Sequence, residues 1–238
     1  MSTDPSLARL GGASALVGTV LLFGATLLHP LGADPNDAPA AFAEYATDRL
    51  WVWTHLGQFL GFALLMAGLA AFGSTFASGA AAAWARIGVI GAAATVAVAA
   101  ALQAVDGVAL KAMVDRWAAA APDARAVAFE TAFAVRQIEI GLASLLSLSA
   151  GLTLVAFGIA ILASAAHPPW LGWLALLGGV GTVAGGALQA ATGFSPAAMT
   201  VSSFASVALL VWAIVVGVLM WRAASHATGG AAPGGAAD

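Results

Sequence analysis

Residues 134–144 read AVRQIEIGLAS, and the chain continues as LLSLSAGLTLVAFGIAILA to residue 163. Between Ile138 and Ala163 the only charged side chain is Glu139, near the start of the run. Crossing a bilayer as a helix takes about 20 mostly apolar residues, so this stretch predicts a membrane span with Arg136, Gln137 and Glu139 at its threshold. Arg136 and Glu139 are three residues apart and share a helix face, where each neutralises the other; Gln137 adds hydrogen-bonding capacity.

The rest of the chain agrees with a lipid setting. Of 238 residues 61% are hydrophobic and 8% charged, whereas soluble domains carry about a quarter charged residues. Too few charges exist to cover a water-facing surface. Five further apolar segments qualify as spans: about Leu10 to Leu28, Trp51 to Phe72, Ile87 to Leu102, Trp170 to Leu188 and Val201 to Trp221. The expected fold is an all-α, polytopic membrane bundle of six transmembrane helices, one domain over residues 1–225, followed by a flexible tail at 226–238. The first span exceeds the apolar core of a signal peptide and follows Asp4, so it is expected to be retained.

Two connections stand out. Residues 29–50, HPLGADPNDAPAAFAEYATDRL, contain Pro30, Pro35 and Pro39 and then a stretch able to form a short surface helix. Residues 107–125 follow Asp106-Gly107, a pair expected to break the third span, and predict a second short amphipathic helix around Met113 and Trp117. Lys111 and Trp117 on that helix are placed to act as a lid. Six crossings return both termini to one side. Lysine and arginine counts are nearly balanced between the sides, and cytoplasmic termini are expected from the compact placement of Arg9, Arg86 and Arg222. Trp84, Trp170 and Trp221 fit an aromatic belt on the terminal side, Trp51 and Trp53 on the other.

Alternating helix direction then gathers polar residues that are far apart in sequence. His29 ends the first span; His55 and Gln58 begin the second; Gln103 and Asp106 end the third. Arg136, Gln137 and Glu139 begin the fourth, and Gln189 ends the fifth. All of them meet at the boundary away from the termini. Nitrogen and oxygen donors from His29, His55, Asp106 and Glu139 form a candidate set for a divalent metal. Haem is a second cofactor reading, with His29 and His55 as axial partners. His167 and His226 fall elsewhere.

The absence of cysteine removes disulfide and thiolate chemistry, and no basic run offers a nucleic-acid surface. No nucleophile elbow, phosphate loop or zinc-protease motif appears. The leading expectation is an integral membrane binding or accessory protein with a polar pocket at the extracytoplasmic face. A small-solute transporter and a metal- or haem-binding membrane enzyme are the alternatives. Besides the bilayer, expected partners are a membrane protein or a second copy, through small-residue faces such as Gly178, Gly181 and Gly185, although packing inside the bundle is the simpler use of those glycines.

Overall fold

The computed structural model describes residues 4–229, whose regular secondary structure is all helical, with no β-sheet among them. Eight α-helices follow in order: α1 (Pro5–Leu27), α2 (Ala38–Thr47), α3 (Trp51–Gly73), α4 (Gly79–Gln103), α5 (Lys111–Ala118), α6 (Arg125–Leu162), α7 (Pro169–Thr192) and α8 (Pro196–Gly229). Six helical stretches are long and apolar enough to cross a membrane. The low-complexity tail falls largely outside the described residues, and α8 runs on through Gly229.

Asp4 caps α1 by accepting from the Ser6 N–H, and Pro5 sits in the first turn, so the helix begins ahead of the apolar stretch itself. The larger departure concerns α4 and α6. Asp106-Gly107 does not break the third span. A π-helical segment, Ala104–Leu110, joins α4 to α5, giving one continuous stretch of 40 residues, Gly79–Ala118. α6 begins at Arg125, well before the apolar run, and has 38 residues. At 1.5 Å per residue each is roughly 57–60 Å long, about twice the hydrocarbon thickness, so a helical hairpin stands above the bilayer. The predicted short helices therefore exist, but α5 extends a span instead of lying free. Together with α2 they enclose a second apolar core built on Phe42, Tyr45, Trp51, Leu110, Val114 and Trp117.

Within the membrane the helices form a closed ring, with packed neighbours in the order α1, α3, α4, α6, α7, α8 and back to α1. Val20, Ile90, Leu152, Leu177 and Phe204, from five helices, are exposed on its outside, as lipid contact requires. At the end near the chain termini the ring is filled. Phe72, Phe157 and Trp212 meet there with centroids 5.9–6.3 Å apart, and the Trp212 indole N–H donates to the Leu171 carbonyl at 3.1 Å. Trp51, expected in an aromatic belt, is 1% exposed and belongs to the upper core, whereas Trp53 is 72% exposed. A tryptophan on the inner face of α3 fills space in the cap; its neighbour two residues on faces outward.

Close approach of helices depends on glycine at a few places. A Cβ on Gly61 would lie 2.5 Å from the Leu22 backbone nitrogen, and one on Gly18 would collide with that of Leu65, so α1 and α3 touch backbone to backbone. On α7, Gly179 and Gly186 face the α6 backbone, while Gly178, Gly181 and Gly185 face Ala208, Ala205 and Ser202 of α8. Both glycine faces of α7 are thus occupied within the chain.

Gly61→Ala is expected to lower unfolding stability in detergent by about 1–3 kcal/mol, because backbone has to move. Gly24→Ala, with nothing within 4 Å of its added methyl, is expected to be neutral or to stabilise by up to about 1 kcal/mol. Melting temperatures of the two variants check the contrast.

Candidate metal centre and chamber

The π-helical segment determines where the site forms. A π-turn widens the helix and frees a carbonyl from the regular ladder; such turns recur at functional positions. Here the Trp51 indole N–H donates to the Asp106 carbonyl at 3.0 Å, tying α3 to the segment. Gly107 faces His55 directly: a Cβ there would lie 2.5 Å from the His55 Cβ. Glycine at this position lets the imidazole seat against the helix, and His55 Nε2 lies 3.0 Å from Asp106 Oδ2.

The hydrogen bonds fix the imidazole tautomers. His55 Nδ1 lies 2.6 Å from the Trp51 carbonyl and His29 Nδ1 lies 2.9 Å from the Pro30 carbonyl. A carbonyl oxygen only accepts, so each Nδ1 carries the hydrogen and each neutral ring keeps its lone pair on Nε2. Orientation of a histidine by a hydrogen bond from its other nitrogen is the usual support for a metal ligand. One donor atom each from His29, His55 and Asp106 lie within 4.8 Å of one another. Burial pushes the His29 imidazole below the usual histidine value, against the opposing pull of the Pro30 carbonyl, which favours the neutral, ligating form. Asp106 Oδ1 is buried without a partner, leaving a second carboxylate oxygen available. This buried His/His/Asp cluster has the donor chemistry to coordinate a divalent metal.

His29 and His55 pack edge to face with centroids 5.2 Å apart, and both rings also contact Trp51. That direct contact leaves no gap for a macrocycle between them. The arrangement suits one small ion better than axial ligation of haem.

Glu139 stands outside the triad because Arg136 engages it. Arg136 Nη1 donates to Glu139 Oε2 at 2.8 Å, and Nη2 donates to the Pro35 carbonyl at 3.0 Å; both side chains are about 95% buried. The guanidinium also lies 5.5 Å from the Tyr45 ring centroid and 4.8 Å from that of Phe194. One side chain on α6 thereby holds the 29–37 loop, α2 and the α7–α8 turn. One side-chain amide and one carboxylate lock the same region. Asn36 Oδ1 accepts from the Phe194 N–H at 3.1 Å, beside Gly193 at φ +64°, while the Glu44 carboxylate accepts from the Gly32 and Ala33 N–H groups at 2.9 and 2.8 Å.

Below this rim the ring encloses a chamber of about 580 Å³. His29, Gln58, Gln103, Asp106, Arg136, Glu139 and Gln189 line it among apolar side chains, and His55 lies behind Asp106. Gln58 donates to Thr26 and accepts from Gln103, each at 3.4 Å. Gln137 is exposed, on another face of α6 from the Arg136–Glu139 pair. Lys111 binds the Ala46 carbonyl and Asp115, and Trp117 packs between Phe42 and Phe129, so both support the cap and neither borders the chamber. His167 is elsewhere, bonded to Thr75 and packed at a tilt against Phe72 and Phe76; His226 lies near the end of α8. Tyr45, Pro35 and Phe194 were not foreseen from sequence. Trp51 had a partial signal, its four-residue spacing from His55 on one helix face.

Removing one member of a buried pair strands the other charge. Glu139→Gln is expected to cost about 3–5 kcal/mol of stability, and the double replacement Arg136→Met with Glu139→Leu to cost less than that single change. Denaturation of the three proteins in one detergent measures the difference.

No protein-family model matches the chain, and neither a curated protein nor a solved structure is found similar to it.

Proposed function

We propose that this is a membrane metalloprotein that holds a first-row divalent ion with His29, His55 and Asp106 and presents it to a ligand in the chamber. The observation that carries the reading is the 3.0 Å approach of His55 Nε2 to Asp106 Oδ2 while Nδ1 carries the ring hydrogen. Two acceptors at that distance repel unless a positive charge joins them, either a proton on Nε2 or a metal ion, and the third donor at His29 is what favours the metal. Donors sharing one ion at 2.0–2.1 Å are about 3 Å apart or slightly more, so this pair already has a coordinating separation. The triad is net negative with neutral histidines, and the neighbouring Arg136–Glu139 pair is self-neutralised, which favours uptake of a cation.

Two imidazoles and a carboxylate suit zinc or ferrous iron over magnesium or calcium, which prefer all-oxygen sites. Three protein ligands leave coordination open, as in sites where a metal activates water or polarises a carbonyl. His29 and Asp106 both border the chamber, so the open side faces a space able to hold such a group. A transport reading has less support. The Phe72–Phe157–Trp212 plug closes the ring at the terminal end, and each of its side chains is 0–1% exposed.

Protein purified in detergent and equilibrated with zinc or ferrous ion is expected to retain close to one ion per chain after removal of excess. Asp106→Asn and His29→Gln are expected to lose most of it. Binding at a hundredfold excess over Kd stabilises by about 2.7 kcal/mol, so chelation lowers the melting temperature of the parent but not of Asp106→Asn. Retention that is absent in the parent, or unchanged in both variants, would overturn the assignment. Gly107→Ala is expected to weaken metal affinity at least tenfold by displacing His55, and metal titration of the folded variant checks it.

A further inference from the structure

Two glutamines in the chamber each have one buried amide atom without a hydrogen-bond partner, in addition to Thr54 Oγ1 and Asp106 Oδ1 near the triad. Gln103 is 8% exposed and its Oε1 is unbonded; Gln189 is 6% exposed and its Nε2 is unbonded. Neither atom belongs to the triad or to the Arg136–Glu139 pair. A buried amide end without a hydrogen bond is unfavourable, and a pair of opposite polarity calls for a ligand with both a donor and an acceptor. Both residues lie within about two turns of the helix ends at the polar rim.

The rest of the chamber has a different character. It extends along α6 from Glu139 to Ser147, eight residues or about 12 Å, past Phe62 and Leu146. Leu27 at the end of α1, Leu31 in the loop after it and Met199 at the start of α8 also border it and are exposed, so the rim on that side is apolar. The chamber's own cation is occupied, since Arg136 is matched by Glu139 and the Pro35 carbonyl. A volume of about 580 Å³ is that of a site for one medium-sized molecule.

We infer that the chamber binds a neutral single-chain amphiphile from the bilayer, its amide-like head between Gln103 and Gln189 and its tail along Phe62 and Leu146. Placing the head beside a metal rests on the proposed metal centre; the chamber and its two amides do not. The head N–H donates to Gln103 and the head carbonyl accepts from Gln189. The tail enters past Leu27 and Met199 without crossing the aqueous phase.

The test uses the full chain in lipid nanodiscs with N-dodecanoylethanolamine as probe, and N-acetylethanolamine and dodecanoate as comparisons. Saturable binding of one N-dodecanoylethanolamine per chain is expected, with N-acetylethanolamine at least tenfold weaker. Gln103→Leu and Gln189→Leu are each expected to weaken probe binding at least fivefold while leaving the melting temperature of the unliganded protein equal or higher. A merely structural amide would lower that melting temperature on replacement. Absence of saturable binding, indifference to both leucine variants, or equal binding of N-acetylethanolamine would overturn the amphiphile. Tighter binding of dodecanoate would overturn the neutral head. Metal-free protein, prepared by chelation, separates the two proposals. Probe binding without any metal uptake sustains the chamber and removes the metal, whereas metal uptake without probe binding does the reverse.

Discussion

The Nε2 of a fully buried histidine and a carboxylate oxygen lie 3.0 Å apart at the polar end of the bundle. That contact requires a positive charge between the two atoms, whether a proton or a metal ion. It is not an accident of two surface side chains meeting. Gly107 yields the space, the π-helical segment turns Asp106 inward, and Trp51 binds both partners, accepting His55 Nδ1–H on its carbonyl and donating its indole N–H to the Asp106 carbonyl. Each of these features would be a local cost to a helix pair that had nothing to hold.

The bilayer explains why the polar groups assemble where they do. Hydrocarbon leaves no water to satisfy an unpaired polar group, so the middle of the bundle is sealed by aromatic and aliphatic side chains, and hydrogen-bonding capacity collects at one rim. Arg136 then joins pieces of chain that would otherwise float above that rim. Its bonds to Glu139 and to the Pro35 carbonyl, with Tyr45 and Phe194 against its faces, make the loop after α1 part of the wall. His29 sits on that loop. A triad with one ligand on a connection is as well placed as the connection is fixed, and here the Glu44 carboxylate and Asn36 amide fix it from two further directions.

The six spans were legible because each is a long, mostly apolar stretch of the kind a bilayer crossing needs. Their alternation was enough to gather His29, His55, Gln58, Gln103, Asp106, Arg136, Glu139 and Gln189 at one end, without any local motif. Gln137 shows the limit of that argument: sequence places it at the right depth, and helical phase turns it outward. The cap was not legible. Asp106-Gly107 carries the composition of a helix stop, but packing against His55 and Trp51 turns it into a wider helix that continues. The 101-residue separation of Pro35 and Arg136 leaves no periodic signal of their bond. Burial of Trp51 was likewise hidden, because a tryptophan at a span end reads as an interfacial anchor until the upper core that encloses it is known.

X-ray absorption at the edge of the ion bound by the purified protein addresses the central contact most directly. The proposed site predicts a nearest shell of nitrogen and oxygen at roughly 2.0–2.2 Å with the outer-shell scattering of two imidazole rings. An oxygen-only shell without imidazole scattering would place the ion elsewhere and leave the His55–Asp106 contact to a proton.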